Sequence, residues 1–180
     1  MDVAVEPLSK HPGAVPMVAE WHFREWGHTV PGVSLEAWTA AMARQAGADE
    51  VPGTLIALVG RAPVGVVCLV ERDMPGYELA AGLTPWIQGL YVIPSARRQG
   101  IGGILVRRCE AWAASLGHKD LYLYTERGSG ALALYERLGW RAIHAGHYDG
   151  IAVTVMHASL LPVAGVPAYG QDYPSGPVHP

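Results

Sequence analysis

Cysteine is scarce in this chain of 180 residues: only Cys68 and Cys109 occur, and no Cys-x-x-Cys is present. That excludes a zinc ribbon and a dithiol redox motif. Each cysteine sits inside an apolar run, GVVCLV or VRRCEAW, and is expected to be a buried free thiol. Basic charge is not in excess either, with 13 Lys and Arg against 16 Asp and Glu and a net charge of −3. The balance argues against a general nucleic-acid or membrane-surface binder, so any basic site must be local. Arg97, Arg98, Arg107 and Arg108 form the densest such cluster. No apolar run approaches the roughly 20 residues of a membrane span. The opening MDVAVEPLSK lacks the basic start and apolar core of a signal peptide. A cytoplasmic protein in a reducing compartment is the expectation.

Half the residues are hydrophobic, enough for one domain with a real core. Residues 2–7 alternate in polarity and predict a first strand. Residues 11–26 carry Val15, Val18, Trp21 and Trp26 at helical spacing. Gly27 and Pro31-Gly32 break that helix, and Ser34 can cap a second over residues 35–45. Residues 54–59 and 64–71 predict a hairpin across residues 60–63, and residues 86–92 (WIQGLYV) a central strand. A helix over residues 102–115 stops at Gly117, a strand covers residues 120–125, and a short helix covers residues 131–138. Residues 140–145 and 151–159 close the order as a pair across Tyr148-Asp149-Gly150. The sum is an α/β (α+β) domain of about seven strands and four helices over residues 1–160. Residues 161–180 are rich in Pro and Gly, without periodicity, and read as an extended or disordered tail. A homodimer with this tail docked on the second subunit is compatible with the sequence.

The stretch IPSARRQGIGG, residues 93–103, sets two arginines against three glycines where a helix should begin. The first N–H groups of a helix have no intrahelical partner and lie at the positive end of its dipole. A phosphate can collect them if no side chain blocks its approach, which Gly100, Gly102 and Gly103 would ensure. Arg97 and Arg98 add forked donors. The composition suits a diphosphate. A Walker A loop would need Lys-Ser/Thr after its glycines, whereas Ile104-Leu105 follow Gly103. A dinucleotide fingerprint would need a glycine at Leu105 and a strand running straight into the loop.

Arg97-x-x-Gly100-x-Gly102, preceded by Leu90-Tyr91-Val92, resembles the acetyl-CoA motif (Q/R-x-x-G-x-G/A) of the GCN5-related N-acetyltransferase (GNAT) superfamily. ALALYERLGW, residues 131–140, resembles that superfamily's late helix, A-x-x-L-Y-x-x-x-G-F/W, and VTVMHASL its last strand. The resemblance implies a mixed, mostly antiparallel sheet whose fourth and fifth strands splay apart. It implies acetyl-CoA as cosubstrate, with the pantetheine arm bonded to backbone around Leu90, Tyr91 and Val92. The pyrophosphate would rest on amides of Arg98, Gln99, Gly100, Ile101, Gly102 and Gly103. Tyr135 matches the family tyrosine that approaches the thioester sulfur. The family often has Asn seven residues before that tyrosine; here the position is Gly128, and Ser129 or a water would replace its hydrogen bond.

Acetyl transfer needs a neutral amine, a place for the developing oxyanion and a proton for the leaving thiolate. Backbone N–H near Tyr91 and Val92 can meet the second need and Tyr135 the third. Where many family members carry a glutamate on the central strand, WIQGLYV offers Gln88, so the base stays open among Glu25, Glu126, Asp73, His22 and His144. The acceptor surface is expected on the first two helices, the loop after residue 71 and the last hairpin. It would hold Trp21, Trp26, Trp86, Tyr77 and Tyr148 with Glu25, Asp73 and Glu78, a mix suited to a cationic amine. His144, His147 and His157 lack the spacing of a metal site, and no metal is expected. The acceptor stays open between a small amine, an amino acid, an antibiotic amine and a protein N-terminus. A non-catalytic acyl-CoA sensor is the alternative.

Overall fold

A computed structural model describes residues 2–160; the expected tail, residues 161–180, lies outside the described residues. Seven strands form one sheet in the order β1-β2-β3-β4-β5-β7-β6. They are β1 (Val3–Pro7), β2 (Gly53–Val59), β3 (Ala62–Val70), β4 (Trp86–Val92), β5 (Asp120–Glu126), β6 (Arg141–Tyr148) and β7 (Ile151–Ser159). Every neighbouring pair is antiparallel except β4 and β5. Four helices flank the sheet: α1 (Val15–Trp26), α2 (Leu35–Arg44), α3 (Ile101–Ser115) and α4 (Gly130–Arg137).

The period-two alternation of the strands divides the core into two layers. Leu55, Val67, Leu69, Ile87, Leu121 and Leu123 pack with Leu105, Cys109 and Trp112 of α3 and with Tyr135 of α4. Their sequence neighbours Ile56, Val66, Cys68, Val70 and Trp86 turn to the other face, against Val15, Val18 and Ala19 of α1 and Met42 of α2. Both cysteines are free and buried.

Helix boundaries follow local chemistry. Buried Val15, Val18, Ala19 and His22 of α1 fall at i, i+3, i+4 and i+7, one stripe of a helix. The helix begins later than its periodicity suggests: Pro12, Gly13 and Ala14 form a tight 3₁₀ turn, and Pro16 is accepted in the first turn of α1. Ser34 caps α2 by accepting from Ala37 N–H at 3.2 Å. Gly117, at φ 89°, ends α3 in a left-handed turn closed by Gly117 N–H to Ala114 C=O and His118 N–H to Ala113 C=O. Several edges differ from expectation, among them the end of β6, which runs on to Tyr148. Strand β3 starts at Ala62, so the hairpin turn is only Gly60-Arg61; Trp140 leaves β6 and is buried beside α4.

Candidate functional site

Strands β4 and β5 share one registered pair, Trp86 with Tyr122, and then part. Of residues 87–92 of β4, Ile87, Gln88, Tyr91 and Val92 have registered partners on β3, and none has one on β5. A backbone edge left open in mid-sheet offers donors and acceptors to an extended ligand. Within this stretch Gly89 adopts φ 61°, and the register with β3 shifts between Val66 and Cys68, a bulge. Glycine is required there twice over: its φ is left-handed, and an added Cβ would lie 2.6 Å from Cε1 of His22. Beyond the bulge, half-buried Leu90 and Val92 pack on the α3 side, and Tyr91 on the α1 side.

The opening leads into the glycine loop. Arg98 (φ 62°) and Gly100 (φ 83°) are both left-handed, and Gly100 is the N-cap of α3 with no side chain capping the helix. The first N–H groups of a 15-residue helix are therefore left for an outside acceptor. A Cβ on Gly100 would meet nothing within 4 Å, whereas one on Gly102 would lie 3.3 Å from Leu134 of α4. Gly100 makes the turn; Gly102 lets α3 and α4 approach, a role the sequence did not suggest. Ile101 is 1% exposed, so only its backbone can serve a ligand. Gln99 is exposed, its side chain donating to Ser95 C=O at 3.2 Å. Arg97 Nε donates to Val92 C=O at 2.8 Å and its guanidinium lies 5.5 Å from the Tyr91 ring centre, which braces the end of β4. Arg97 and Arg98 are exposed. Uncapped amides flanked by two guanidinium groups fit a diphosphate, and the open strand edge fits an amide-bearing arm.

Ser129 caps α4, accepting from Leu132 N–H at 3.2 Å, and its hydroxyl stands 3.1 Å from that of Thr125 at the end of β5. Tyr135 is 5% exposed and packed against Trp140 at 5.8 Å. Trp140 is fixed in turn by its indole N–H, which donates to Glu110 at 2.7 Å. Burial, with the neighbouring Cys109, pushes the Tyr135 phenol well up, so it is a neutral hydrogen-bond donor at any working pH.

On the opposite face, Trp21 and Trp26 of α1 stand 5.8 and 6.4 Å from Tyr91. Glu25 is exposed on the same helix. Trp86 does not join them. It is fully buried, with its indole N–H donating to Leu83 C=O at 2.7 Å, and it belongs to the core rather than to an acceptor surface. His22 is 4% exposed, with no partner for Nε2 among the described residues. Desolvation lowers it to about 4, partly offset by the Gly89 backbone, so it is neutral at physiological pH.

A second polar group gathers where the strands part. Gln88 and Tyr124 each lie two residues past the Trp86–Tyr122 pair. Partly buried Asp73, from the β3–β4 loop, accepts from Met74 N–H at 2.8 Å. Desolvation pushes its carboxyl up, against the opposing influence of Met74 N–H and the Gln88 side chain. Tyr124 is pushed up to about 12 by burial and then by the charges of Asp73, Tyr148 and Asp149. Its ring lies 5.6 Å from that of Tyr148, whose hydroxyl donates to Pro75 C=O at 3.3 Å. Tyr77 lies 5.9 Å from Tyr148 and hydrogen-bonds His144 Nε2 at 2.7 Å. Sequence reasoning passed over Tyr124, although alternation in DLYLYT already puts it on one face with Tyr122.

Elsewhere His157 is held by Asp120 at 2.7 Å. Among the described residues no group of three or more His, Cys, Asp or Glu is placed to hold a metal, and no helix is long and apolar enough to cross a membrane. A depression lined by Glu50, Glu71, Arg72 and His118 lies at the other ends of β4 and β5, away from the glycine loop.

Known proteins share this arrangement. The model of the acetyltransferase (GNAT) family matches residues 15–140. The acetyl transferase GW6a of Oryza sativa subsp. japonica is 41% identical over 78 residues, covering 42% of this chain and 18% of that protein. An aminoglycoside N(6')-acetyltransferase type 1 of Klebsiella aerogenes is 48% identical over 40 residues, 22% of this chain and 26% of that protein. The chain thus matches about a fifth to a quarter of the length of these relatives. The structure of yncA from Salmonella typhimurium with its cofactor acetyl-CoA superposes with a TM-score of 0.68 at 15% identity, over 93% of this chain and 99% of that one.

Proposed function

The chain belongs to the acetyltransferase (GNAT) family, and from that premise we propose that it transfers an acetyl group from acetyl-CoA to a primary amine by direct attack on the thioester. One observation carries this: the opening between β4 and β5 runs from an unpaired strand edge straight into the uncapped N-terminus of α3. Acetyl-CoA, when bound, supplies the activated acyl group. The backbone of Leu90, Tyr91 and Val92 would hold its amide-bearing arm as an added strand would be held. The N–H groups of residues 98–103, with Arg97 and Arg98 beside them, would hold the diphosphate. An N–H near Tyr91 or Val92 would stabilise charge developing on the carbonyl oxygen. Tyr135, kept neutral by burial, would donate a proton to the departing sulfur.

The two faces of the sheet divide the work. Loop and helices α3 and α4 serve the CoA side; the acceptor would come from the α1 side, past Trp21, Trp26 and Glu25. Aromatic rings with nearby carboxylates suit a cationic amine, and the similarity to an aminoglycoside N(6')-acetyltransferase supports that class of acceptor. We infer a cytoplasmic reaction without metal, nucleic acid or membrane partner from the charge balance and the residues present.

Free-thiol release from acetyl-CoA, measured with polyamines, amino acids, aminoglycosides and N-terminal peptides, tests the proposal. Release above background with one amine class is expected. Bound acetyl-CoA without release to any of them would contradict it.

A further inference from the structure

We propose that Asp73, framed by Gln88, Tyr124 and Tyr148 where β4 and β5 part, seats the acceptor's ammonium group and takes its proton. This rests on the acetyl-transfer function proposed above and identifies its base. Three observations point to Asp73 rather than to the other carboxylates and histidines near the opening.

The first is placement. Trp86 and Tyr122 are the last residues at which the two strands are joined, and side chains two residues further on return to the same face. Gln88 and Tyr124 therefore flank the mouth of the opening on the face opposite α3 and α4. The Asp73 loop is held to this group: Pro75 C=O, two residues on, accepts from the Tyr148 hydroxyl at 3.3 Å, and the Tyr148 ring lies 5.6 Å from that of Tyr124. In keeping with this, the Gln88 side chain favours the charged form of Asp73, and the Asp73 charge raises Tyr124. An amine seated here and a thioester held in the opening would face each other.

The second is an unbalanced charge. The ion pairs formed among the described residues do not include Asp73. It accepts from the Met74 backbone N–H, and the Gln88 amide favours its charged form. The surrounding groups are Gln88 from β4, Tyr124 from β5, Tyr148 and Asp149 at the β6–β7 turn, and the Tyr77–His144 pair beyond Tyr148. A desolvated carboxylate with two tyrosine rings and no cation beside it is built to receive one. Its raised affinity for a proton also brings it nearer the pH at which a base is most effective.

The third is elimination. His22 is buried and disfavours the proton, His144 is engaged by the Tyr77 hydroxyl, and Glu25 and Glu126 are exposed. In the resulting step the Asp73 carboxylate takes one proton from R–NH₃⁺. The nitrogen lone pair then forms the N–C bond to the thioester carbonyl carbon, and the C–S bond breaks with its electron pair on sulfur. Tyr135 protonates that sulfur and is restored by the second nitrogen proton, while the proton on Asp73 passes to water. Ammonium and thioester become amide, thiol and one proton.

The test uses the full chain with ¹³C-labelled aspartate, the Asp73 carboxyl assigned through bonds, and n-butylammonium chloride as probe. Asp73 should titrate above the usual carboxylate range, and saturating n-butylammonium should move its midpoint down by about half a pH unit or more, because a cation favours the charged form. Equal sodium chloride, or n-butanol, should not. A midpoint unmoved by n-butylammonium, or moved equally by n-butanol, overturns the ammonium seat. Asp73→Asn should slow acetylation of n-butylamine at least about tenfold while leaving the acetyl-CoA Kd within about twofold; an unchanged rate overturns the base. The titration involves no acetyl-CoA. Failure of acetyl-CoA to bind would therefore count against acetyl transfer, and a silent Asp73 against this assignment alone.

Discussion

Trp86 and Tyr122 are the one registered pair between β4 and β5, with ring centres 5.8 Å apart, and they act as the hinge pin of the opening. The Tyr122 N–H donates to Pro85 C=O just before β4 begins; past the pair each strand keeps only its outer neighbour. Because Trp86 is fully buried, Trp86→Ala should destabilise the fold by about 3–5 kcal/mol, the usual cost of emptying such a site. Chemical denaturation checks this. A variant of near-native stability with a selectively raised acceptor KM would restore Trp86 to the acceptor surface.

Trp26 gives the contrasting case. It lies at the end of α1 beside Tyr91 and His22, only partly buried. Trp26→Ala is expected to raise acceptor KM several-fold at an unchanged acetyl-CoA Kd, as steady-state kinetics and calorimetry would show.

These two tryptophans mark how far the sequence was legible. Element order, the two motifs and their separation were readable because period, caps and glycine stops are local signals. Helix α4 and its Schellman turn, for example, are written in ALALYERLGW. The depth of Trp86 was not readable, since a central strand is covered on both faces and its alternation cannot say which face is wet. Nor was the approach of the loop that carries Asp73 to Tyr148 and Tyr124, since that loop has no periodicity and its partners lie on strands far along the chain. The packing role of Gly102 was hidden for a related reason: its neighbour Leu134 lies on another helix.

The glycines of the loop should separate by function. Gly100→Ala places a side chain at φ 83°, straining the turn by about 1–2 kcal/mol, and should weaken acetyl-CoA binding at least about tenfold. Gly102→Val should instead push on Leu134 and cost about 1–3 kcal/mol of stability. Calorimetric titration and urea unfolding of both variants distinguish the two roles.

Tyr135→Phe removes only the phenol oxygen from a packed site. The expected result is a kcat loss of about 100-fold or more with acetyl-CoA affinity little changed. Turnover equal to wild type in a rapid-quench assay would take Tyr135 out of the reaction.

His22 predicts a pH signature of folding. Its pKa is lowered from 6.5 to about 4, so the unfolded chain binds the proton more readily. Its contribution is complete above about pH 6.5 and is lost as pH falls towards about 4. Between pH 7 and 5 the wild type should lose about 2 kcal/mol more than His22→Leu. Equal losses in paired urea titrations would mean that His22 is protonated in the folded chain.

The proposed function requires acetyl-CoA to lie in the β4–β5 opening with its diphosphate on α3. Amide chemical-shift mapping of the ¹⁵N-labelled chain during titration with acetyl-CoA tests it most directly. Saturable shifts are expected, largest at Leu90, Tyr91 and Val92 and at residues 98–103. Shifts confined to the depression around Glu50, Glu71 and His118, or no saturable shift at all, would contradict it.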